Sequence, residues 1–291
     1  MKIPDQNRLL PAVRSAAGAA VLLAALTGVA ACSGGSGGQG GPQGSSDQLA
    51  ADPLTAVRGA ADITGRTGSA HVVTELATES AEKKAVFTGA GGYDYVRRIG
   101  RLEVAVPPGA ATTGKIVEVV LPGLVYLQNS GAKVPAGKWV KLDVRQLPDG
   151  NLVSSGATDP AGAAGALRGA QKAELVGTET VDGVALKHFR GTLDLAKAAE
   201  ATGGRGADGL RMAAQTFTVK DVPYDAWLDG QGRLHKVVEV FTFAGVAGSK
   251  EAKDQVKVTS TTALSDFGKP VDAAEPAAGD IYSMNATEPP Q

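Results

Sequence analysis

From Ser69 onward the chain is a succession of short runs rich in Val, Thr, Tyr and Phe, punctuated by Gly and Pro: HVVTEL, AVFTGAGGYDYVRR, RLEVAVP, KIVEVVLP, LVYLQ and KWVKLD. Runs of this length and composition are strands, and their spacing leaves little room for a helical bundle. In RLEVAVP, Leu102, Val104 and Val106 share one face while Arg101, Glu103 and Ala105 share the other, so that strand has a dry side and a mostly wet side. The next run, KIVEVVL, is apolar on both faces apart from Glu118. Further along, Asp182-Gly183 separates Val176–Val181 from Ala185–Asp194, a strong two-residue hairpin signal. Asp229-Gly-Gln-Gly232 predicts a second hairpin between Phe217–Leu228 and Leu234–Phe243, and Gln255–Leu264 reads as a last strand.

Helix starts are marked as clearly. Asp52-Pro53 and Asp159-Pro160 each pair an N-cap aspartate with a proline at the first helical position. After the first, Leu54, Val57, Ala61 and Thr64 recur at helical spacing up to Gly65; the second opens an Ala-rich stretch, and a short helix is expected at Leu195–Ala201 before a Gly-rich loop. The sum is about ten strands and two or three helices with no break in composition between Pro53 and Val271. That pattern predicts one α+β domain around a single large antiparallel sheet; a sheet of that many twisted strands tends to curl, and if the helices lie inside the curl, a cavity between them and the sheet is the natural place for a ligand. Candidate cavity positions are the alternating residues Leu102, Val104, Val106, Val117, Val119 and Leu121, for each of which ordinary core packing is the competing reading.

Composition narrows the function. A formal net charge of −1 and 4 % aromatic residues argue against a nucleic-acid binder. A single cysteine among 291 residues excludes an internal disulfide framework and any multi-cysteine metal site. That cysteine follows Lys2, Arg8 and Arg14 and the apolar run AAGAAVLLAAL, the order of an export signal too short and too glycine-broken to be a spanning helix. It closes Val29-Ala30-Ala31-Cys32, which resembles the bacterial lipobox, so Cys32 is the expected site of acylation and the mature N-terminus. The expected organisation is a signal peptide at 1–31, a flexible tether at 32–51 containing SGGSGGQGGPQGSS, the folded body at 52–272 and a disordered tail at 273–291. Lipid anchoring places the body on the extracytoplasmic face of the cell membrane.

Chemical motifs are present in letters only. Gly34-x-Ser36-x-Gly38 has the spacing of a hydrolase elbow but sits in the tether, and Gly204-x-Gly206-x-x-Gly209 follows a helix where a dinucleotide fingerprint needs a strand. His71, His188 and His235 are far apart and each lies in or beside a strand, which argues against a metal site. Trp139 and Trp227 lie in strand patterns and read as anchors of the core or of sheet edges. Asn285-Ala-Thr287 is a sequon in letters alone. No nucleophile, base or carboxylate pair can be assembled, so the chain is expected to bind and not to turn over a substrate, with no cofactor.

Several pieces in order carry a family resemblance. Ser69-Ala70-His71 follows the opening helix, then come Val125-Tyr126-Leu127 and Lys138-Trp139-Val140-Lys141-Leu142-Asp143. The Val176–Val184 hairpin with His188-Phe189-Arg190-Gly191 is followed by Val222-Pro223-Tyr224-Asp225-Ala226-Trp227-Leu228-Asp229, Gly232-Arg233-Leu234 and Asp266-Phe267-Gly268-Lys269-Pro270-Val271. From about Asp52 to Val271 the chain resembles the actinobacterial LppX/LprA/LprF/LprG lipoprotein family. The resemblance implies a LolA/LolB-like half-barrel whose apolar cavity accepts the acyl chains of a lipid or glycolipid for transfer or display in the cell envelope. An envelope transporter or other protein is then the expected partner. A second reading stays open: an envelope protein-interaction or sensor module of the same fold with no lipid cargo.

Overall fold

The computed structural model describes residues 52–81, 84–107, 114–131, 134–153, 159–244 and 255–282. Cys32, the signal and the tether lie outside them, as do the sequon and the tail beyond Tyr282. Among the described residues four helices and eleven strands follow one another: α1 Pro53–Gly65, β1 Ser69–Glu79, β2 Lys84–Asp94, β3 Ile99–Ala105, β4 Lys115–Leu121, β5 Leu124–Gln128, β6 Trp139–Asp143, α2 Pro160–Ala166, β7 Ala170–Val181, β8 Val184–Leu193, α3 Leu195–Thr202, α4 Asp208–Thr216, β9 Val222–Leu228, β10 Leu234–Ala244 and β11 Gln255–Ser265.

All strands belong to one open sheet in the order β6-β5-β4-β3-β2-β1-β11-β10-β9-β8-β7. Neighbours are antiparallel throughout, as short hairpin connections require. The chain starts at the centre, meanders to the β6 edge, crosses over through α2 to the β7 edge and meanders back until β11 pairs with β1. The β7–β8 hairpin turns at Asp182 (φ 50°) and Gly183 (φ 79°), two successive left-handed residues of the kind a two-residue turn demands.

Three aspartates start helices. Asp52 accepts from the Leu54 and Thr55 amides at 3.2 and 3.3 Å, Asp159 from Ala161 at 3.1 Å, and Asp194 from Ala196 and Lys197 at 2.8 and 3.1 Å. Such caps are worth about 1 kcal/mol each. The helices face the sheet with small residues: Ala56, Ala60 and Ala61 on α1, Ala163, Ala164 and Ala166 on α2, Ala198 and Ala199 on α3, and Ala213 on α4 are buried. Thr64 accepts from the Leu234 amide at 2.8 Å and Arg58 donates to the Ala170 carbonyl at 2.8 Å, pinning α1 across β10 and β7. One core cluster unites these helix faces with Val72, Leu76, Leu102, Val104, Val120, Val125, Phe189, Tyr224, Val237 and Phe241 from the sheet. The half-barrel architecture expected from the sequence is the one observed, an open antiparallel sheet with its apolar face covered by helices.

Three expectations need correction. The stretch read as a Gly-rich loop leading into a strand from Phe217 contains α4, whose Leu210 and Ala213 face the core, and β9 begins only at Val222. The chain does not trail off at Ala273: Ala278–Asp280 forms a 3-10 turn, Ile281 bridges Trp139 in parallel, and the Tyr282 amide donates to the Trp139 carbonyl at 2.7 Å. Residues 273–282 thus lie along the β6 edge, helped by Lys138–Asp280 at 3.1 Å and a hydrogen bond from the Tyr126 hydroxyl to Glu275. The third correction concerns the cavity.

Candidate ligand cleft between the helices and the sheet

Register decides which strand positions face the helices. Leu102 pairs with Glu118 and Val104 with Ile116, so Ile116, Glu118 and Val120 share the inner face with Leu102 and Val104. Leu102 and Val104 are buried in the core cluster and Val106 is half-buried against it. Val117 and Val119 instead pair with Glu103 and Arg101, on the opposite face. Val119 is buried there beside Tyr126, its β5 partner, while Val117 and Leu121 are half-buried. The sequence choice of Val117 and Val119 as cavity positions is therefore corrected to the outer face, while Leu121, at the end of β4, lines the small space between β4, β5 and α4. The misleading signal is Glu118, which sits mid-strand on the inner face at 1 % exposure and accepts from the Asn151 side-chain amide at 3.1 Å.

The expected apolar cavity is replaced by packed side chains. Between β4, β5 and α4 the enclosed space is about 40 Å³, room for a water or two and roughly tenfold below an ordinary ligand pocket. Its inner wall includes Tyr93, Val120, Leu152 and the half-buried Asp159. Gly150 closes it against α4: with φ +60°, a Cβ there would lie 2.0 Å from the Gly209 carbonyl oxygen.

That small space adjoins a wider cleft of about 460 Å³ at the rim of the helical layer, sharing Arg98, Arg205, Gly206 and Leu210 with it. Small residues shape the cleft: Ala61 and Gly65 from α1, Ala161 and Ala164 from α2, and Gly203 to Gly206 after α3. Arg168 is held on its wall by Asp62 at 2.6 Å and by the Thr202 hydroxyl at 3.4 Å. Arg98, at φ 57°, reaches in from the β2–β3 turn and lies over Gly206, where any Cβ would meet its guanidinium at 2.6 Å.

Tyr93 and Tyr95 meet edge to face with ring centroids 5.0 Å apart at the back of the cleft. Burial, then the Asp159 charge, pushes the Tyr93 hydroxyl well above its usual range, with Arg98 working in the other direction. Burial followed by the Asp159 charge raises Tyr95 as well, and its hydroxyl is buried without a hydrogen-bond partner. The Asp159 carboxyl is itself raised by burial, which outweighs the Ala161 amide and Arg98. These tyrosines and Asp159 were missed in the sequence because their neighbours are strand and cap residues whose local roles fully account for their type.

A second opening, of about 540 Å³, lies on the outer face around Trp227, Val73, Leu186 and Phe267. Trp227 stacks on His188 at 4.2 Å and carries Lys236 over its ring at 4.6 Å, while His188 is held by Asp225 at 2.6 Å and Glu179 at 3.1 Å. His235 is tied to Asp229 at 3.1 Å and His71 is exposed on the outer face. Trp139, by contrast, stands at the β6 edge under Ile281. Among the described residues no helix is long and apolar enough to cross a membrane.

No protein-family model and no curated protein sequence matches the chain. Solved structures resemble it in fold. LprF from Mycobacterium bovis is 14 % identical over 78 % of this chain and 97 % of its own, with a TM-score of 0.42. LppX from Mycobacterium tuberculosis is 12 % identical over 78 % and 99 %, with a TM-score of 0.47. A LolA superfamily protein from Nitrosomonas europaea is 11 % identical over 74 % and 94 %, with a TM-score of 0.33. At these identities and scores the likeness transfers no residue role and no ligand to this chain.

Proposed function

We propose that this chain is an exported lipoprotein, anchored through acylated Cys32, that binds an acylated lipid or glycolipid between its sheet and its helices for transfer or display at the membrane. The observation that carries the reading is the cleft at the rim of the helical layer, which adjoins a small space lined by Tyr93, Val120 and Val125 of the sheet. Apart from Val57, Leu195 and Leu210 the helices meet the sheet mostly through alanine, and burying a methyl is worth far less than the roughly 1.5–3 kcal/mol of a buried leucine or valine. A layer held this way can part from the sheet at modest cost, and an acyl chain entering there recovers about 0.8 kcal/mol per buried methylene. The account requires the helices to move, because among the described residues the space between β4, β5 and α4 is only about 40 Å³. No enzymatic role is proposed.

The test is uptake of a fluorescent acyl probe by the delipidated mature protein. A saturable one-to-one rise in emission, displaced by unlabelled lipid, is expected; an unsaturable or absent response overturns the proposal. A second reading, a protein-interaction module, is favoured by the outer groove at Trp227, beside which Val73, Val181 and Val184 are exposed. It predicts a stoichiometric crosslinked partner that is lost when Val184 becomes Glu.

A further inference from the structure

The wall of the rim cleft carries three arginines, Arg98, Arg168 and Arg205, and no carboxylate lines it. Composition does not lead one to expect this, because the chain has 29 basic and 30 acidic residues. Of the three, Arg168 is ion-paired with Asp62 at 2.6 Å, so the cationic excess of the wall rests on Arg98 and Arg205.

At the cleft, Arg168 is oriented by Asp62 and Thr202, and Arg98 is oriented by its turn and by its seat on Gly206. Arg205 is exposed and makes no ion pair among the described residues. The Tyr95 hydroxyl, buried and without a partner, adds a donor on the same wall.

We propose that this cleft is a headgroup site for an anionic, phosphate-bearing amphiphile, an inference that rests on the lipid reading above. Guanidinium groups from three separate elements suit an anion that presents several oxygens in different directions, which a phosphate does and a single hydroxyl does not. The volume of about 460 Å³ accommodates a polar head and not two long chains. The chains are directed inward, past Leu210 to Val120 and Leu152, because the cleft shares a wall at Arg98, Arg205, Gly206 and Leu210 with the smaller inner space. Two carboxyls line that deep side: Asp159, half-buried and committed to the α2 cap, and Asp208, paired with Arg211.

Calorimetric titration of the full mature chain with three soluble probes separates the possibilities: dioctanoyl phosphatidylglycerol, neutral dioctanoylglycerol and glycerol 3-phosphate. The proposal expects the anionic lipid to bind about tenfold or more tighter than the neutral one, the scale of one charge-assisted hydrogen bond. Arg205→Gln and Arg98→Gln should each reduce the affinity for the anionic lipid to that for the neutral one. Lys257→Gln, on exposed β11, should change nothing. Equal binding of both lipids, with no effect of either arginine variant, overturns the anionic site and leaves the lipid reading standing. Binding of glycerol 3-phosphate alone supports an anion site and overturns the lipid reading, and binding of no probe overturns both.

Discussion

Glu239 offers a sharp test of how the interior is built. It lies mid-β10 on the inner face, opposite Ser260 and Tyr224, at 0 % exposure, and neither carboxyl oxygen has a hydrogen-bond partner. Burial drives its carboxyl well above the usual range. A raised acid binds its proton more tightly folded than unfolded, so its contribution favours folding below the ordinary carboxylate range and is lost as pH rises past it. At neutral pH the residue is therefore a liability.

Glu239→Leu removes an unpartnered polar group, worth about 1–3 kcal/mol, and adds apolar burial, offset by imperfect fit. A net gain of about 2 kcal/mol at pH 7 should raise the melting temperature by about 4–8 °C in a body of this size. Calorimetric melting from pH 4 to 7 should show the gap between variant and wild type widening as pH rises. Glu239→Gln, which cannot ionise but keeps unmet hydrogen-bonding capacity, should gain less. A variant that melts below wild type at pH 7 would refute the reasoning and show that the carboxyl has a partner of its own.

Other consequences follow from register and close packing. Val104→Trp, on the helix-facing side, should abolish probe uptake, whereas Val119→Trp on the opposite face should leave uptake intact even though overpacking costs either variant about 1–3 kcal/mol; equal loss in both would undo the assignment of faces. Gly150→Ala forces a Cβ against the Gly209 carbonyl at a positive φ and should lower stability by more than about 2 kcal/mol in urea unfolding. Asp52→Ala removes the α1 cap and should cost about 1 kcal/mol by the same assay. Cys32→Ser should move the chain from the membrane to the soluble fraction, and unchanged membrane retention would contradict the lipid anchor.

Local signals carried much of the fold. Asp-Pro pairs cap α1 and α2, Asp182-Gly183 turns the β7–β8 hairpin, and the alternation in β3 names its inner face correctly, because each is settled by the residue's own backbone and nearest neighbours. The face of β4 was not legible. Both faces of KIVEVVL are apolar, one because it meets the helices and the other because Tyr126 and its neighbours cover it, so only pairing with β3 decides. The α4 helix was hidden by the glycines before it, and its stability comes from Leu210 and Ala213 in the core more than from propensity. The cleft was the least visible feature, since Arg98, Arg168 and Arg205 are 37 or more positions apart or sit in separate elements that only the crossover brings together.

The central claim is that the sheet and helices part to hold an acyl lipid. Native mass spectrometry of the Cys32→Ser chain, exported from a bacterial host and isolated without detergent stripping, tests it most directly because no covalent acyl group can be mistaken for cargo. The account predicts the chain mass plus one amphiphile, released on activation. A bare chain that also fails to take up added phosphatidylglycerol would contradict it.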